Sequence, residues 1–173
     1  MSQDYTHDIH LHNYGCWTAA RAAQRRFPGA RTEVVQSVLE KSGFPKALRE
    51  LYESDPTAAQ FDSWHQDMVG HLQVCFQDEG VVASYGQAAK VIAVYLKTVY
   101  IARYPESPLA YVAHPPIDRI LLQNIKKCKT TAVFTGSLSW TKFGAAEYHA
   151  AVQYLREECE NQPFWTIERY WIG

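Results

Sequence analysis

Ser84-Tyr85-Gly86-Gln87-Ala88-Ala89-Lys90, running on into Val91-Ile92-Ala93-Val94-Tyr95-Leu96, is the stretch on which the reading of the fold turns. Ser84 with Gln87 three residues later is a capping-box signature, so a helix is expected to begin here and to continue over about 84–103. From 91 to 102 only Lys97 and Thr98 are clearly polar, too little polarity for a helix with one wet face. Such a helix belongs at the centre of a core. Lys97 in mid-run, and Gly86 and Gln87 near the start, argue against a membrane span. Lys90 therefore lies at the mouth of a buried helix. Beyond a loop punctuated by prolines the chain reads His114-Pro115-Pro116-Ile117-Asp118-Arg119, which puts Asp118 at the start of the next helix.

Outward from this centre the apolar residues recur at helical steps. Asn13 is a candidate cap for a helix to about 26, after a polar lead-in over 1–12, and Thr32 opens a second helix that Ser42 and Gly43 close. A short helix is expected over about 45–52. A longer one over about 57–77 carries Phe61, Trp64, Met68, Leu72 and Phe76 on its inner side, with Gly70 marking a close helix contact. Pro115 and Pro116 suit the first positions of a helix to about 125 that buries Ile120, Leu121 and Leu122. A lysine-bearing loop follows over 124–131, and then a segment over 131–139 readable as a short strand or as irregular chain. Thr141 is a candidate cap for a helix over about 143–160, and the aromatic-rich segment 163–172 is expected to lie over the core. With 173 residues, 47% of them hydrophobic, the chain can bury a core without disulfide or metal. The expectation is an all-α fold: a single compact helical domain over 13–173, with about seven or eight helices.

Charge and cysteine usage narrow the function. A formal charge of -1, from 17 basic and 18 acidic side chains, excludes a general polycation, so any nucleic-acid contact must come from a local patch. Arg21 and Arg25 on the first helix, and Lys126, Lys127 and Lys129, are the candidates for DNA-backbone contact, although such residues more often form a solvated face. Cys16, Cys75, Cys128 and Cys159 are scattered, without a Cys-x-x-Cys pair, and His65 and His71 stand six apart rather than at the spacing of a two-histidine metal face. No metal and no cofactor is expected, and scattered thiols suit a reducing, cytoplasmic setting.

The central stretch resembles the helix-hairpin-helix DNA glycosylase superfamily, and within it the archaeal 8-oxoguanine branch. Tyr85-Gly86 matches what remains of a glycine-containing hairpin, Lys90 before Val91-Ile92-Ala93-Val94 matches the lysine of the lyase-capable members, and Pro116-Ile117-Asp118 matches the element that supplies their aspartate. The resemblance covers 84–119. Ser84 stands where the usual hairpin has its first glycine, and Lys90 falls four residues after Gly86 where the common spacing is two. It implies a helix-hairpin-helix glycosylase-like fold and DNA with a damaged or modified base as partner. It implies Lys90 and Asp118 as catalytic residues, and it suggests Tyr85, Trp17, Trp140 and His114 around the base.

The chemistry stands beside the resemblance. A lysine desolvated at a helix mouth has more of its amine free for attack on C1′ of an extruded nucleotide, and a nearby carboxylate stabilises the cationic sugar as the base leaves. The structural alternative is a lysine snorkelling past an apolar run and an aspartate complementing a helix dipole. Three functions are therefore open: a DNA glycosylase or glycosylase/lyase, a phage-type DNA base hypermodification enzyme on the same fold, or a non-catalytic helical module that binds modified DNA or a protein partner.

Overall fold

The computed structural model describes residues 4–128 and 136–172, and among these every regular element is a helix. In chain order they are α1 (His7–Gln24), α2 (Thr32–Lys41), α3 (Phe44–Glu53), α4 (Ala58–Asp78), α5 (Tyr85–Leu96), a π-helical turn (Lys97–Ile101), α6 (Pro108–Val112), α7 (Arg119–Cys128) and α8 (Ala145–Cys159). Two 3-10 turns, Trp140–Lys142 and Phe164–Tyr170, flank α8. No helix among the described residues is long and apolar enough to cross a membrane.

α5 is the axis of the structure. Its capping box forms as the sequence indicates: the Gln87 amide donates to Ser84 Oγ at 3.1 Å, and Gln87 Oε1 accepts from the Ser84 amide at 2.9 Å. Ten of its twelve residues are buried, against α1, α4, α8 and the Trp140–Lys142 turn. α1 approaches it closely because Gly15, Cys16, Ala19, Ala20 and Ala23 face inward; a Cβ on Gly15 would stand 2.6 Å from Val99 Cγ1. In the first turn of α5, a Cβ on Gly86 would lie 2.0 Å from the Trp140 carbonyl oxygen, and the Gly86 amide donates to the Phe143 carbonyl at 3.1 Å. Glycine at 86 thus lets the start of α5 touch the backbone of the next layer, which no larger residue allows without a shift. The buried side chains of all the helices join in one contiguous core.

Several boundaries differ from those expected. α1 starts at His7, inside the polar lead-in, because Thr6 rather than Asn13 caps it, accepting from the Ile9 amide at 3.3 Å. α5 gives way to π geometry after Leu96, with the Ala102 amide bonded to the Lys97 carbonyl. Thr98 Oγ1 donates back to the Val94 carbonyl there, the kind of side-chain competition that loosens an α-helix. The loop expected before His114 contains α6, capped by Ser107.

Pro115 and Pro116 do not open α7. They lie in an irregular connection, and Asp118 starts the helix by accepting from the Leu121 amide at 3.0 Å. α7 runs on to Cys128, so Lys126 and Lys127 are in its last turn rather than in a loop, and Ile120 is exposed instead of buried. α8 begins at Ala145, after a separate 3-10 turn, with the Gly144 amide donating to Glu147 Oε2. Gly70 is exposed and its missing Cβ would meet nothing. Lys129 and residues 131–135, the first part of the segment readable as a strand, lie outside the described residues.

Candidate functional site

Lys90, one and a half turns into α5, and Asp118, at the head of α7, come together. Lys90 Nζ donates to Asp118 Oδ2 at 2.9 Å, and the two side chains are only 6% and 15% exposed. Two indoles frame the pair. Trp140 presents its ring 5.4 Å from Nζ, and the Trp171 indole N–H donates to the same Oδ2 at 2.8 Å. Trp171 is held in place through its neighbours, since Asn124 Nδ2 donates to the Tyr170 and Ile172 carbonyls at 3.0 and 3.3 Å. Lys97 pairs with Glu168, which anchors the terminal 3-10 turn to the end of α5.

The electrostatics are those of a tight, poorly hydrated pair. Burial pushes the Lys90 ammonium below the ordinary lysine range and outweighs the pull of Asp118 in the other direction. For Asp118, burial alone would raise the carboxyl. The Lys90 charge, the Leu121 amide and the Trp171 indole together hold it below the usual carboxylate range. The surroundings thus favour the charged form of Asp118, while burial works against the charge on Lys90.

A second polar cluster is built on α4, α8 and the segment before α7. Asp62 receives both arms of the Arg156 guanidinium, Nη1 to Oδ2 at 2.7 Å and Nη2 to Oδ1 at 2.6 Å. His114 Nε2 lies 2.8 Å from Asp62 Oδ1 and His114 Nδ1 lies 3.2 Å from the Tyr148 hydroxyl. Those contacts fit a neutral ring protonated on Nε2, donating to Asp62 and accepting from Tyr148. His65 stacks on Tyr148 at 5.2 Å and 6°, and its Nδ1 has no hydrogen-bond partner. Burial pushes His114 down to about 4, against the attraction of Asp62, and drives His65 well below the usual histidine range. Asp62, which burial would raise, is held well below its ordinary value by Arg156 and His114.

The other sequence-selected residues are distributed around these two clusters. Tyr85 is buried at the start of α5 and reaches His149 Nε2 at 3.2 Å; burial pushes its hydroxyl up to about 12. His114 belongs to the Asp62 clamp, four residues before Asp118, rather than to the surroundings of Lys90 Nζ. Trp17 sits on the outer side of α1, 48% exposed and stacked on Tyr14. Arg21, Arg25, Lys126 and Lys127 are exposed. Of the aromatics chosen from sequence, Trp140 alone stands over the lysine, and Trp171 was missed as a partner of Asp118. Its only signal was the aromatic-rich end of the chain. Asp62 and Arg156 were missed altogether, because nothing local links residues 94 positions apart.

A groove of about 750 Å³ opens elsewhere, between α1, α3 and the π-helical turn, lined by His12, Glu40, Tyr52, Tyr95, Tyr100 and Arg103 among others. Neither Lys90 nor Asp118 lines it. Among the described residues no group of three or more histidine, cysteine, aspartate or glutamate side chains is arranged to hold a metal ion. Compared with family models, with curated proteins and with solved structures, the chain has no match in any of the three.

Proposed function

We propose that the chain is a DNA-acting enzyme of glycosylase or glycosylase/lyase type, with a helix-hairpin-helix glycosylase-like fold, that works on an extruded damaged or modified base. The observation that supports this reading is the 2.9 Å contact between a buried lysine amine and a carboxylate from an element 28 residues away, beneath an indole. Lys90 acts as the nucleophile. Its free amine forms a bond to C1′ as the glycosidic bond breaks, the base leaves with the bonding pair and is protonated, and opening of the sugar ring yields a Schiff base. Asp118, ionised throughout, stabilises the positive charge that develops on the sugar. Trp140 offers the wall for the extruded base, and Trp171 must give way for a substrate to reach Nζ.

Borohydride reduces such a Schiff base to a stable amine and so traps the protein on DNA. Across a panel of oxidised, deaminated and hypermodified bases, the wild type is expected to give a trapped adduct with at least one, and Lys90→Gln to give none while keeping its helical circular dichroism. Asp118→Asn is expected to slow base loss without preventing DNA binding. Absence of both adduct and base loss across the panel overturns the glycosylase reading. Replacement of an exocyclic group with no broken glycosidic bond would assign base hypermodification, and DNA binding with no chemistry would assign a non-catalytic module.

A further inference from the structure

α1 carries on its outer side a stripe unlike the rest of the surface. At about 100° per residue, His7, His10, Tyr14, Trp17, Arg21 and Arg25 fall within roughly 80° of one another on the helix. All six are exposed, and Arg25, at the C-cap, keeps helical backbone angles, φ -59 and ψ -29. The stripe is about 27 Å long at the α-helical rise. Asp8, the one carboxylate in α1, is turned about 100° away from His7 and lines the groove described above. In a chain of net charge -1, a whole helix face free of acidic residues is a local concentration of donors and cations.

The aromatic members are arranged for contact rather than for packing. Tyr14 and Trp17 stack on each other with centroids 5.9 Å apart and planes 18° from parallel, yet they remain 51% and 48% exposed. Tyr5, itself 66% exposed, extends the array by setting its ring edge-on to His10 at 5.9 Å, with its hydroxyl 3.0 Å from Nδ1. Arg21 donates to Gln24 Oε1 at 3.5 Å, and neither Arg21 nor Arg25 forms an ion pair among the described residues. Two aromatic planes followed on the same face by two guanidinium groups outside any ion pair offer what a single strand of nucleic acid requires: faces for unstacked bases and cations for the neighbouring phosphates. A duplex offers no free base faces, so two exposed rings gain nothing from it. An interfacial membrane helix needs a broad apolar face, whereas the apolar side of α1 is spent on the core.

We propose that this face of α1 binds single-stranded nucleic acid, with bases stacked on Tyr14 and Trp17 and phosphates held at Arg21 and Arg25. The face lies on the side of α1 turned away from α5, so the proposal stands independently of Lys90 chemistry.

Anisotropy of a fluorescein-labelled oligothymidylate, titrated with the full chain at several salt concentrations, tests it. Loss of one stacking partner is worth about 1–3 kcal/mol, so Trp17→Ala is expected to weaken binding from about fivefold to over a hundredfold, and Trp17→Phe much less. Arg21→Gln with Arg25→Gln is expected to lower the slope of log affinity against log salt by about 1.4. Adduct trapping is scored separately on the wild type and on the α1 variants, so that failure of trapping at Lys90 and failure of this proposal are read apart. No binding by the wild type at low salt, unchanged binding by the α1 variants, or equal binding of duplex and single strand overturns the proposal. So does retention on phosphatidylglycerol vesicles that depends on Trp17 while the oligonucleotide does not bind, a result that would assign the face to a lipid surface.

Discussion

Asp62 and Asp118 are both carboxylates drawn inward by a cation, and the segment that carries His114 and Asp118 serves both clusters. Their surroundings differ. Asp62 has both oxygens engaged by the Arg156 fork and by His114, with three donors at 2.6–2.8 Å. Arginine is charged at any working pH and its fork is rigid, so this cluster can only hold parts together. Asp118 shares one oxygen between Lys90 and Trp171, and its cation is a rotatable amine that burial already biases toward losing its proton. One aspartate ties α4 to α8 and steadies the approach to α7, while the other holds the Lys90 amine through a single oxygen. A buried ion pair is thus structural or chemically available according to whether its cation can change state.

The comparison is broken most directly by removing Arg156. Arg156→Met leaves Asp62 without its main partner, and loss of one member of a buried pair costs about 3–5 kcal/mol. The lower end, about 3 kcal/mol, is expected because the Asp62 side chain keeps 24% exposure. Urea denaturation of the variant reads this, and a loss below about 1 kcal/mol would deny the clamp its role.

Acid should weaken the same cluster. His114 and His65 are held neutral, so below the ordinary histidine pKa of about 6.5 the unfolded chain takes up protons that the folded chain refuses. Stability is therefore fully present above about pH 6.5 and falls as the pH drops toward His114's folded value of about 4, by on the order of 3 kcal/mol from that residue alone. Denaturation midpoints that stay level from pH 7 to 5 would show that the rings are not buried neutral.

Asp118→Asn should cost less than Arg156→Met, about 1–2 kcal/mol, because Lys90 can shed its proton rather than remain as an unpaired buried charge. Equal losses in the two variants would erase the distinction between a fixed and a changeable cation. The smallest effect is expected from Lys126→Ala with Lys127→Ala in the exposed last turn of α7. Folding stability should shift by no more than about 0.5 kcal/mol, while the salt slope of duplex binding should fall by about 2 if these lysines touch phosphates. An unchanged slope would remove them from the interface.

What local sequence specified was the helical character of the chain and the burial of α5. Ser84 and Gln87 satisfy each other's backbone groups within a single turn, and a run with almost no polar side chain has nowhere to go but inside. The ends of elements were less legible, because a cap is a competition among neighbours. Thr6 wins over Asn13, and Asp118 opens α7 where two prolines had the better local claim. Lys90 and Asp118 could be singled out together only through a resemblance over 84–119, since spacing alone does not bring a mid-helix lysine to a helix start 28 residues on. The Asp62 clamp and the Trp171 indole on Asp118 were decided by tertiary structure. Partners separated by 52, 53 or 94 positions carry no mutual signal in the chain, because their contact exists only once the layers between them have packed. Which face of α1 stays in water follows for the same reason from where Gly15, Ala19 and Ala23 find α5 and the π-helical turn.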